Sequence, residues 1–258
     1  MKKCFFYLFI FVMIFHNLGF AESLVKKTEI DLSQFERKVF SQNGEDGVLE
    51  KIFDIIGTQS KYYIEFGVED GLECNTRYLR ENHHFSGVMM DMKYENHSLQ
   101  LYREVIDAEN INDLFAFYKV PYEFDLLSID IDSNDFYVWK AIQHQPRVVV
   151  IEYNPNHPPM ADRVIVYDPS HVWDETTYYG ATIVAMYQLG KIKGYSLIYA
   201  DCNGVNLFFL RDDIVASIPY TFKNMNNPIQ LYRRGIVHKP DPLNRQYVSS
   251  RTLLQSLR

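Results

Sequence analysis

The chain has 258 residues, of which 47% are hydrophobic and 23% are charged. This composition is typical of a globular protein and excludes the disordered and fibrous classes. The 12 glycines and 10 prolines also exclude a collagen-like or low-complexity chain. The net charge of −7 argues against general binding to nucleic acids. We therefore expect one folded domain that binds no nucleic acid.

The first 21 residues have the features of a secretory signal peptide. Two lysines precede an apolar run from Cys4 to Phe15, and the tripeptide that ends at Ala21 has the small-x-small pattern of a cleavage site. We predict cleavage after Ala21 and export to the periplasm or the exterior, with no stable membrane insertion afterwards. The alternative is an uncleaved N-terminal membrane anchor, although the apolar stretch is shorter than the ~20 residues that cross a bilayer.

The rest of the chain divides into three predicted parts. Residues 22–39 are a polar lead-in segment, residues 40–218 form an α/β domain, and residues 219–258 form a basic C-terminal extension. Loss of the signal peptide leaves 24 basic and 33 acidic residues, a charge of −9, whereas the extension alone carries +6. The extension either packs on its own acidic domain or binds an anionic partner. Nothing in the sequence indicates an oligomeric state.

Strands and helices alternate along the predicted domain. Hydrophobic residues at helical spacing predict a first helix that ends at Gly57. The predicted strands are Tyr62–Gly67, Ser86–Asp91, Glu104–Asp107, Phe124–Ile131, Arg147–Tyr153, Tyr195–Ala200 and Val205–Arg211. The predicted helices between them are Asn75–Asn82, Asn96–Tyr102, Asn110–Tyr118, Phe136–Gln143 and Ala181–Lys193. This order predicts an α/β fold with a doubly wound, mostly parallel sheet.

Acidic side chains stand where the predicted strands end, which is the edge of a doubly wound sheet that binds ligands. The residues at these ends are Glu65 with Gly67 and Gly71, Asp91, Asp107, Asp130 and Asp132, and Glu152 with Asn154. No phosphate-binding loop motif occurs, so the pattern favours a polar, positively charged ligand. Asp91 lies 24 residues after Gly67, a spacing typical of a carboxylate that binds a ribose.

S-adenosylmethionine has the features that such a site favours: ribose hydroxyls, an exocyclic amine, and two positive charges that carboxylates attract. The sequence therefore predicts it as the cofactor. For each single carboxylate, the alternative is a structural role in which it caps a helix or satisfies the end of a strand.

Several motifs resemble those of the FkbM-type methyltransferases over roughly residues 40–213. They are Ser41-Gln42-Asn43-Gly44-Glu45-Asp46, Ile64-Glu65-Phe66-Gly67 with Asp70-Gly71, Asn75-Thr76, Asp125-Leu126-Leu127-Ser128-Ile129-Asp130-Ile131-Asp132, Val150-Ile151-Glu152-Tyr153-Asn154 and Tyr179-Gly180-Ala181. The resemblance implies the seven-stranded, Rossmann-like sheet of class I S-adenosylmethionine-dependent methyltransferases, with a late antiparallel strand inserted next to the fifth.

The resemblance also implies roles for single residues. Glu65, Gly67 and Gly71 would line the methionine side of the cofactor. Asp91 would bind the ribose, Asp107 the adenine amine, and Asp130 the methyl-transfer face. The chain departs from the family in the first motif, where Val68-Glu69-Asp70 replaces a glycine-rich turn. Acidic side chains thus stand where the backbone of typical members approaches the cofactor.

Two kinds of chemistry are open at the ends of the fourth and fifth predicted strands. Metal-independent transfer to a hydroxyl needs a base, and Asp132, Glu152 and His157 are the candidates. Alternatively, Asp130, Asp132, Glu152 and Asn154 could form an octahedral magnesium or calcium site, because they offer hard oxygen ligands. The spacing after Asp130 does not fit an EF-hand loop. We expect the metal-independent arrangement.

The long segment 156–179 follows the fifth predicted strand and is rich in proline, histidine and aromatic residues. We predict that it forms a lid over a sugar-like acceptor, a small molecule or a glycan, with Asn154, Trp173, Tyr178 and Tyr179 as contacts. The alternative is that its aromatic residues only cover the edge of the sheet. The predicted function is O-methylation of a hydroxyl group, and the alternative is an exported, non-catalytic binding module on the same fold.

Two cysteines, Cys74 and Cys202, remain after signal cleavage. The strand order that the resemblance implies separates them by four strand positions, or about 19 Å at ~4.8 Å per strand. A disulfide needs Cα atoms within about 7 Å. We predict that both thiols stay free.

Overall fold

The computed structural model describes residues 27–255. Its strands are β1 (Thr28–Ile30), β2 (Tyr62–Phe66), β3 (Ser86–Asp91), β4 (Leu101–Arg103), β5 (Glu123–Ile129), β6 (Gln145–Glu152), β7 (Val164–Ile165), β8 (Tyr195–Ala200), β9 (Asn206–Arg211), β10 (Tyr220–Phe222) and β11 (Tyr247–Val248). Its helices are α1 (Glu45–Ile56), α2 (Arg77–His83), α3 (Ile111–Phe117), α4 (Asp135–Ala141), α5 (Ile183–Lys193), α6 (Asp212–Ser217), α7 (Pro228–Leu231) and α8 (Ser250–Leu253).

The predicted signal peptide lies outside the described residues. Within residues 27–255, no helix has both the length and the apolar character that crossing a membrane requires.

Seven strands form the central sheet in the order β4-β3-β2-β5-β6-β9-β8. Neighbours in the first five positions pair in parallel, whereas β9 pairs antiparallel with both β6 and β8. β9 is therefore the one reversed strand of this sheet, and it lies next to the edge. These pairings confirm the predicted doubly wound, mostly parallel α/β sheet with an antiparallel strand near one edge.

Helices cover both faces of the sheet because successive strand residues point to opposite sides. Phe66 of β2 is buried with Phe115 of α3 and Trp139 of α4 on one face. Tyr63, three residues earlier in β2, is buried with Leu49 of α1 on the other face. Strands β5 and β6 are apolar and buried along most of their length, as expected for central strands covered on both sides.

The chain changes direction in the sheet between β2 and β5, so the crevice beyond their carboxyl ends is the switch point of this fold. Gly67 follows β2 with a φ of 67°. A Cβ atom at this position would lie 1.5 Å from the carbonyl oxygen of Asp130. Only glycine allows the two chain segments to approach so closely here.

Two predicted elements between residues 96 and 107 are wrong. Residues 96–102 do not form a helix, because His97–Leu99 makes only one 3-10 turn before β4 begins. The strand predicted at residues 104–107 lies earlier in the chain, as β4. Its register follows from Leu101, which is fully buried and pairs with Met89 of β3.

The segments that flank the α/β domain contact it directly. β1, in the predicted lead-in, pairs in parallel with β10 of the basic extension. β11 of the same extension pairs antiparallel with β7, which lies inside segment 156–179. Arg245 forms ion pairs with Asp174 (2.6 Å) and Asp241 (3.0 Å). The extension is thus attached to its own domain by strand pairing and charge.

Both described cysteines are free, as predicted: Cys74 is buried and Cys202 is exposed. Cys74 follows β2 and Cys202 follows β8, four positions apart in the sheet. Desolvation raises the pKa of Cys202 to about 11, so its thiol stays protonated at neutral pH.

Candidate functional site: an acidic cleft at the switch point

Three carboxylates meet beyond the carboxyl ends of β5 and β6. Oxygen atoms of Asp130, Asp132 and Glu152 all lie within 4.8 Å of one another. Among residues 27–255, no side chain or backbone group donates a hydrogen bond to a carboxylate oxygen of any of the three. Glu152 Oε2 is buried and has no partner at all. We call these three residues the acidic triad.

The local chain fold fixes the position of the acidic triad. Asp135 begins α4 and accepts hydrogen bonds from the backbone N–H groups of Ile131 (2.9 Å) and Ser133 (3.1 Å). This closes a tight turn in which Asp132 adopts a left-handed backbone conformation with a φ of 56°. Glu152 is the last residue of β6, and its side chain enters the same cleft.

The cleft disfavours negative charge on the acidic triad. Desolvation, followed by repulsion from Asp132 and Asp135, raises the pKa of Asp130 well above its usual range. Desolvation and Asp130 do the same to the pKa of Glu152. Asp132 lies at the exposed mouth, yet the cleft walls desolvate its carboxyl group and, with Glu69, raise its pKa. The three carboxyl groups therefore favour a bound proton or a positively charged ligand in the cleft.

Two basic side chains lie near Asp132, at the mouth of the cleft. His238 and Lys93 oppose the rise in the pKa of Asp132. Neither forms an ion pair with the acidic triad. Glu45, at the start of α1, adds a further negative charge near Asp130. Within the described chain, the acidic triad thus has no neutralising cation.

Glu65 serves to hold the chain after β2. Its carboxylate accepts hydrogen bonds from the N–H groups of Asn75 (2.7 Å) and Thr76 (3.0 Å) and from the Thr76 hydroxyl (2.5 Å). Desolvation raises its pKa, but these three donors oppose that rise. Glu65 therefore fixes the start of α2 behind the switch point.

Asp91 ends β3, as predicted, and is nearly buried. Its Oδ2 accepts one hydrogen bond, from the backbone N–H of Glu69 (2.9 Å). Its Oδ1 accepts two, from the backbone N–H groups of Lys93 (2.7 Å) and Tyr94 (3.1 Å). Asp91 thus joins the turn after β2 to the turn after β3. Gly71 lies in the first of these turns with a φ of 74°.

Asp107 does not end a strand, because β4 ends four residues earlier. Its Oδ1 accepts hydrogen bonds from the N–H groups of Glu109 (2.9 Å) and Asn110 (2.7 Å), just before α3. The side chain therefore stabilises the start of that helix, and its second oxygen has no partner among the described residues.

His157 and Asn154 lie just after the end of β6, and His157 does not join the acidic triad. His157 Nδ1 lies 3.2 Å from a guanidinium nitrogen of Arg163, and its ring packs edge-on against Tyr247. Burial lowers the pKa of His157 to about 4, so the ring stays neutral. Asn154 is buried, and its amide nitrogen donates to the carbonyl oxygens of Thr177 (2.9 Å) and Tyr179 (2.8 Å).

Segment 156–179 places one aromatic wall beside the acidic triad. Trp173 packs against Tyr179 and His238, with ring centroids 5.7 and 4.9 Å apart. Desolvation and the charge of Glu152 raise the pKa of Tyr179, which locates its hydroxyl near the triad. Trp173 Nε1 donates to the carbonyl oxygen of Thr176 (2.8 Å).

Tyr178 points away from this wall. Its hydroxyl accepts a hydrogen bond from the N–H of Val166 (3.0 Å) and donates one to the carbonyl oxygen of Gln246 (3.2 Å). The guanidinium of Arg245 lies over its ring, 4.2 Å from the centroid. Tyr178 therefore fastens the segment to the C-terminal extension.

Sequence reasoning missed three charged residues at the cleft: Glu45, Lys93 and His238. Glu45 belongs to a motif that carries the resemblance, so a signal for it existed. Lys93 follows Asp91 and could have been found from its position after β3. His238 lies in the extension, far along the chain from the other residues of the cleft, and nothing in its sequence neighbourhood marks it.

Two surface cavities lie elsewhere. One of about 750 Å³ is lined by residues of α4 and α5 and of the loop before α3, among them Tyr137, Lys140 and Lys193. The other, of about 500 Å³, lies near the amino ends of β2 and β3. Residues of the acidic triad line neither cavity.

No protein-family model matches this chain, and no curated protein matches it. Inference about its function therefore starts from the sheet and the cleft.

Proposed function

We propose that this protein is an S-adenosylmethionine-dependent methyltransferase that methylates a hydroxyl group of a sugar-like acceptor. The observation that carries the proposal is the place of β9, which runs antiparallel between β6 and β8 in an otherwise parallel sheet. A late antiparallel strand at this position is the feature that the sequence resemblance implied. The cleft lies at the switch point, where such sheets bind ligands.

The carboxylate oxygens at this end of the sheet fit this cofactor, because they attract positive charge and accept hydrogen bonds. The acidic triad offers a desolvated negative field to the sulfonium and amino charges. Asp91 Oδ2 accepts a single hydrogen bond and keeps a lone pair for a ribose hydroxyl. The unpartnered oxygen of Asp107 can accept a hydrogen bond from the adenine amine.

The residues of the chain would supply positioning and a base. When bound, S-adenosylmethionine supplies a methyl group on a positively charged sulfur. The residues of the chain would hold the acceptor oxygen in line with that methyl group, and the sulfur would leave with the electron pair of the carbon–sulfur bond. Asp132 or Glu152, in its deprotonated form, would accept the hydroxyl proton, because desolvation raises the proton affinity of each carboxylate. The rings of Trp173 and Tyr179, tilted by 59° to each other with centroids 5.7 Å apart, would form an aromatic wall against which the acceptor is aligned.

A second candidate is a non-catalytic binding module that is exported by the predicted signal peptide. Both oxygens of Asp91 hold backbone groups, and Glu69 occupies the turn after β2 with a φ of 48°. These contacts favour a structural use of the residues that a cofactor would need.

Calorimetric titration of the full chain with S-adenosylmethionine in EDTA separates the two candidates. The enzyme proposal requires saturable binding of one cofactor per chain. Asp91→Asn, which keeps an acceptor oxygen but removes the charge, should weaken binding at least tenfold. Asp54→Asn is the matched control, because Asp54 is exposed on α1 and its side chain has no hydrogen-bond partner among the described residues.

A folded protein that does not bind S-adenosylmethionine would refute the enzyme proposal and favour the binding module. Equal affinity in the Asp91→Asn and Asp54→Asn variants would refute the ribose assignment alone. Circular dichroism of each variant establishes that the chain is folded.

A further inference from the structure

The acidic triad differs from an ordinary surface cluster of carboxylates in two ways. Its members stand on the ends of adjacent parallel strands, so the sheet holds them together against their repulsion. One oxygen, Glu152 Oε2, is buried without any hydrogen-bond partner. Buried polar atoms are normally satisfied, and an orphan of this kind points to a missing ion or water.

The spacing of the triad fits a metal ion. Oxygen ligands bind Ca²⁺ at about 2.3–2.6 Å and Mg²⁺ at about 2.0–2.1 Å. Two oxygens on opposite sides of one Ca²⁺ are therefore about 4.6–5.2 Å apart, and neighbouring ligands are closer. The separations in the triad do not exceed 4.8 Å, so one point lies within about 2.8 Å of all three oxygens, and shifts of a few tenths of an ångström bring them to Ca²⁺ distance.

The chemistry of the ligands selects the kind of ion. All three are carboxylates, which are hard ligands suited to Mg²⁺, Mn²⁺ or Ca²⁺ rather than to softer metals. Three protein ligands leave several positions of an octahedral ion open. Asp132 lies at the exposed mouth, so these open positions would face the solvent side of the cleft.

We propose that Asp130, Asp132 and Glu152 form a binding site for one hard divalent cation. The site rests on the triad alone. Its role rests on the proposed function: the open positions would bind the acceptor hydroxyl beside the wall of Trp173 and Tyr179. Asn154, also considered from the sequence, contributes less, because its amide oxygen already accepts a hydrogen bond from the backbone N–H of Asn156 (3.0 Å).

Titration of the EDTA-treated full chain with MnCl₂, followed by electron paramagnetic resonance of free Mn²⁺, tests the site without any cofactor. We expect one saturable Mn²⁺ per chain, which CaCl₂ or MgCl₂ displaces. Glu152→Gln and Asp132→Asn should each weaken Mn²⁺ binding at least tenfold. Asp54→Asn should bind Mn²⁺ as the wild type does.

Thermal unfolding supplies a second measurement on the wild type alone. Saturating Mn²⁺ should raise its unfolding temperature, because the ion binds only the folded triad. Absence of saturable Mn²⁺ binding, or wild-type affinity in Glu152→Gln, would overturn the proposal and favour a proton shared between the carboxyl groups. If a variant does not fold, the wild-type titration and melting curves still decide.

The two proposals fail separately. Mn²⁺ binding without S-adenosylmethionine binding would support the metal site and refute the methyltransferase. S-adenosylmethionine binding in EDTA without any Mn²⁺ binding would support the methyltransferase and refute the metal site.

Discussion

Two aspartates at opposite ends of the same strand, β5, differ in the partners that the fold gives their carboxylates. Asp125, near the amino end, accepts hydrogen bonds from the N–H groups of Gln59, Ser60 and Lys61 and pairs with Arg147 at 2.6 Å. Asp130 lies just past the carboxyl end. Its carboxylate accepts no hydrogen bond from the described chain and lies close to two more carboxylates. The fold neutralises Asp125 and gives Asp130 neither a hydrogen-bond donor nor a paired cation among the described residues.

The difference shows how to separate structural from functional carboxylates in this molecule. A carboxylate whose acceptors are filled by the protein contributes to folding, and its loss is felt as instability. A desolvated carboxylate without donors opposes folding, and its loss relieves repulsion. The following variants test this contrast.

The largest effect is expected at the neutralised end. Asp125→Ala leaves the Arg147 guanidinium, whose side chain is 10% exposed, without its carboxylate partner. Breaking a buried pair in this way costs about 3–5 kcal/mol of unfolding free energy. Urea denaturation measures it. A loss below about 1 kcal/mol would contradict the structural role of Asp125.

Asp201 gives an intermediate case with a pH signature. It is buried and accepts backbone hydrogen bonds from Asn203, Val205 and Asn206, but no cation pairs with it. Desolvation raises its pKa from 3.8 to about 7. The folded state therefore binds its proton more tightly, and the stability that results is lost as the pH rises from about 4 through 7.

Measured against Asp201→Asn, the wild type should thus lose about 2–4 kcal/mol of unfolding free energy between pH 4 and pH 8. Denaturation curves at several pH values give this difference. If the difference in unfolding free energy between wild type and variant stays constant with pH, the raised pKa of Asp201 is contradicted.

Two adjacent tyrosines extend the contrast to neutral groups. The Tyr178 hydroxyl forms two hydrogen bonds with backbone groups, whereas the Tyr179 hydroxyl has only a 3.4 Å contact from the Asn156 amide. Tyr178→Phe should lower stability by about 1 kcal/mol, and Tyr179→Phe by less than half of that. Thermal melts of the pair, each compared with the wild type, measure the effect; equal losses would contradict it.

The smallest effect is expected at the mouth of the acidic triad. In EDTA, Asp132→Asn should raise stability by about 0.5–1 kcal/mol, because it removes one of three repelling charges. The left-handed backbone at residue 132 suits asparagine as well as aspartate. With saturating Mn²⁺ the wild type should be the more stable of the two, because only the wild type keeps all three carboxylate ligands. Destabilisation in EDTA would contradict the assigned repulsion.

Much of the fold was predictable because its signals are local. The apolar runs of β5 and β6 and the helical periodicity before Gly57 each lie within about a dozen residues. The prediction was wrong between residues 96 and 107, because the polar residues around the 3-10 turn His97–Leu99 mimic a helix. There, burial of Leu101 against β3 decides the structure.

The candidate site was predictable in part. The sequence placed Asp130, Asp132 and Glu152 at strand ends, and parallel strands bring such ends to one edge. It also placed His157 among the candidate bases, but the pairing of that ring with Arg163 depends on how segment 156–179 folds. No local pattern encodes that contact.

The sequence by itself determined the alternation of strands and helices and the acidic character of the strand ends, since both are properties of short segments. Only the tertiary structure decided which acids are neutralised: Asp125 meets an arginine 22 residues away, and Asp91 meets the backbone of the preceding turn. It also brought His238 from the C-terminal extension to the mouth of the cleft. The physical reason is that the charge state and partners of a buried group depend on neighbours in space, which strand order and register bring together.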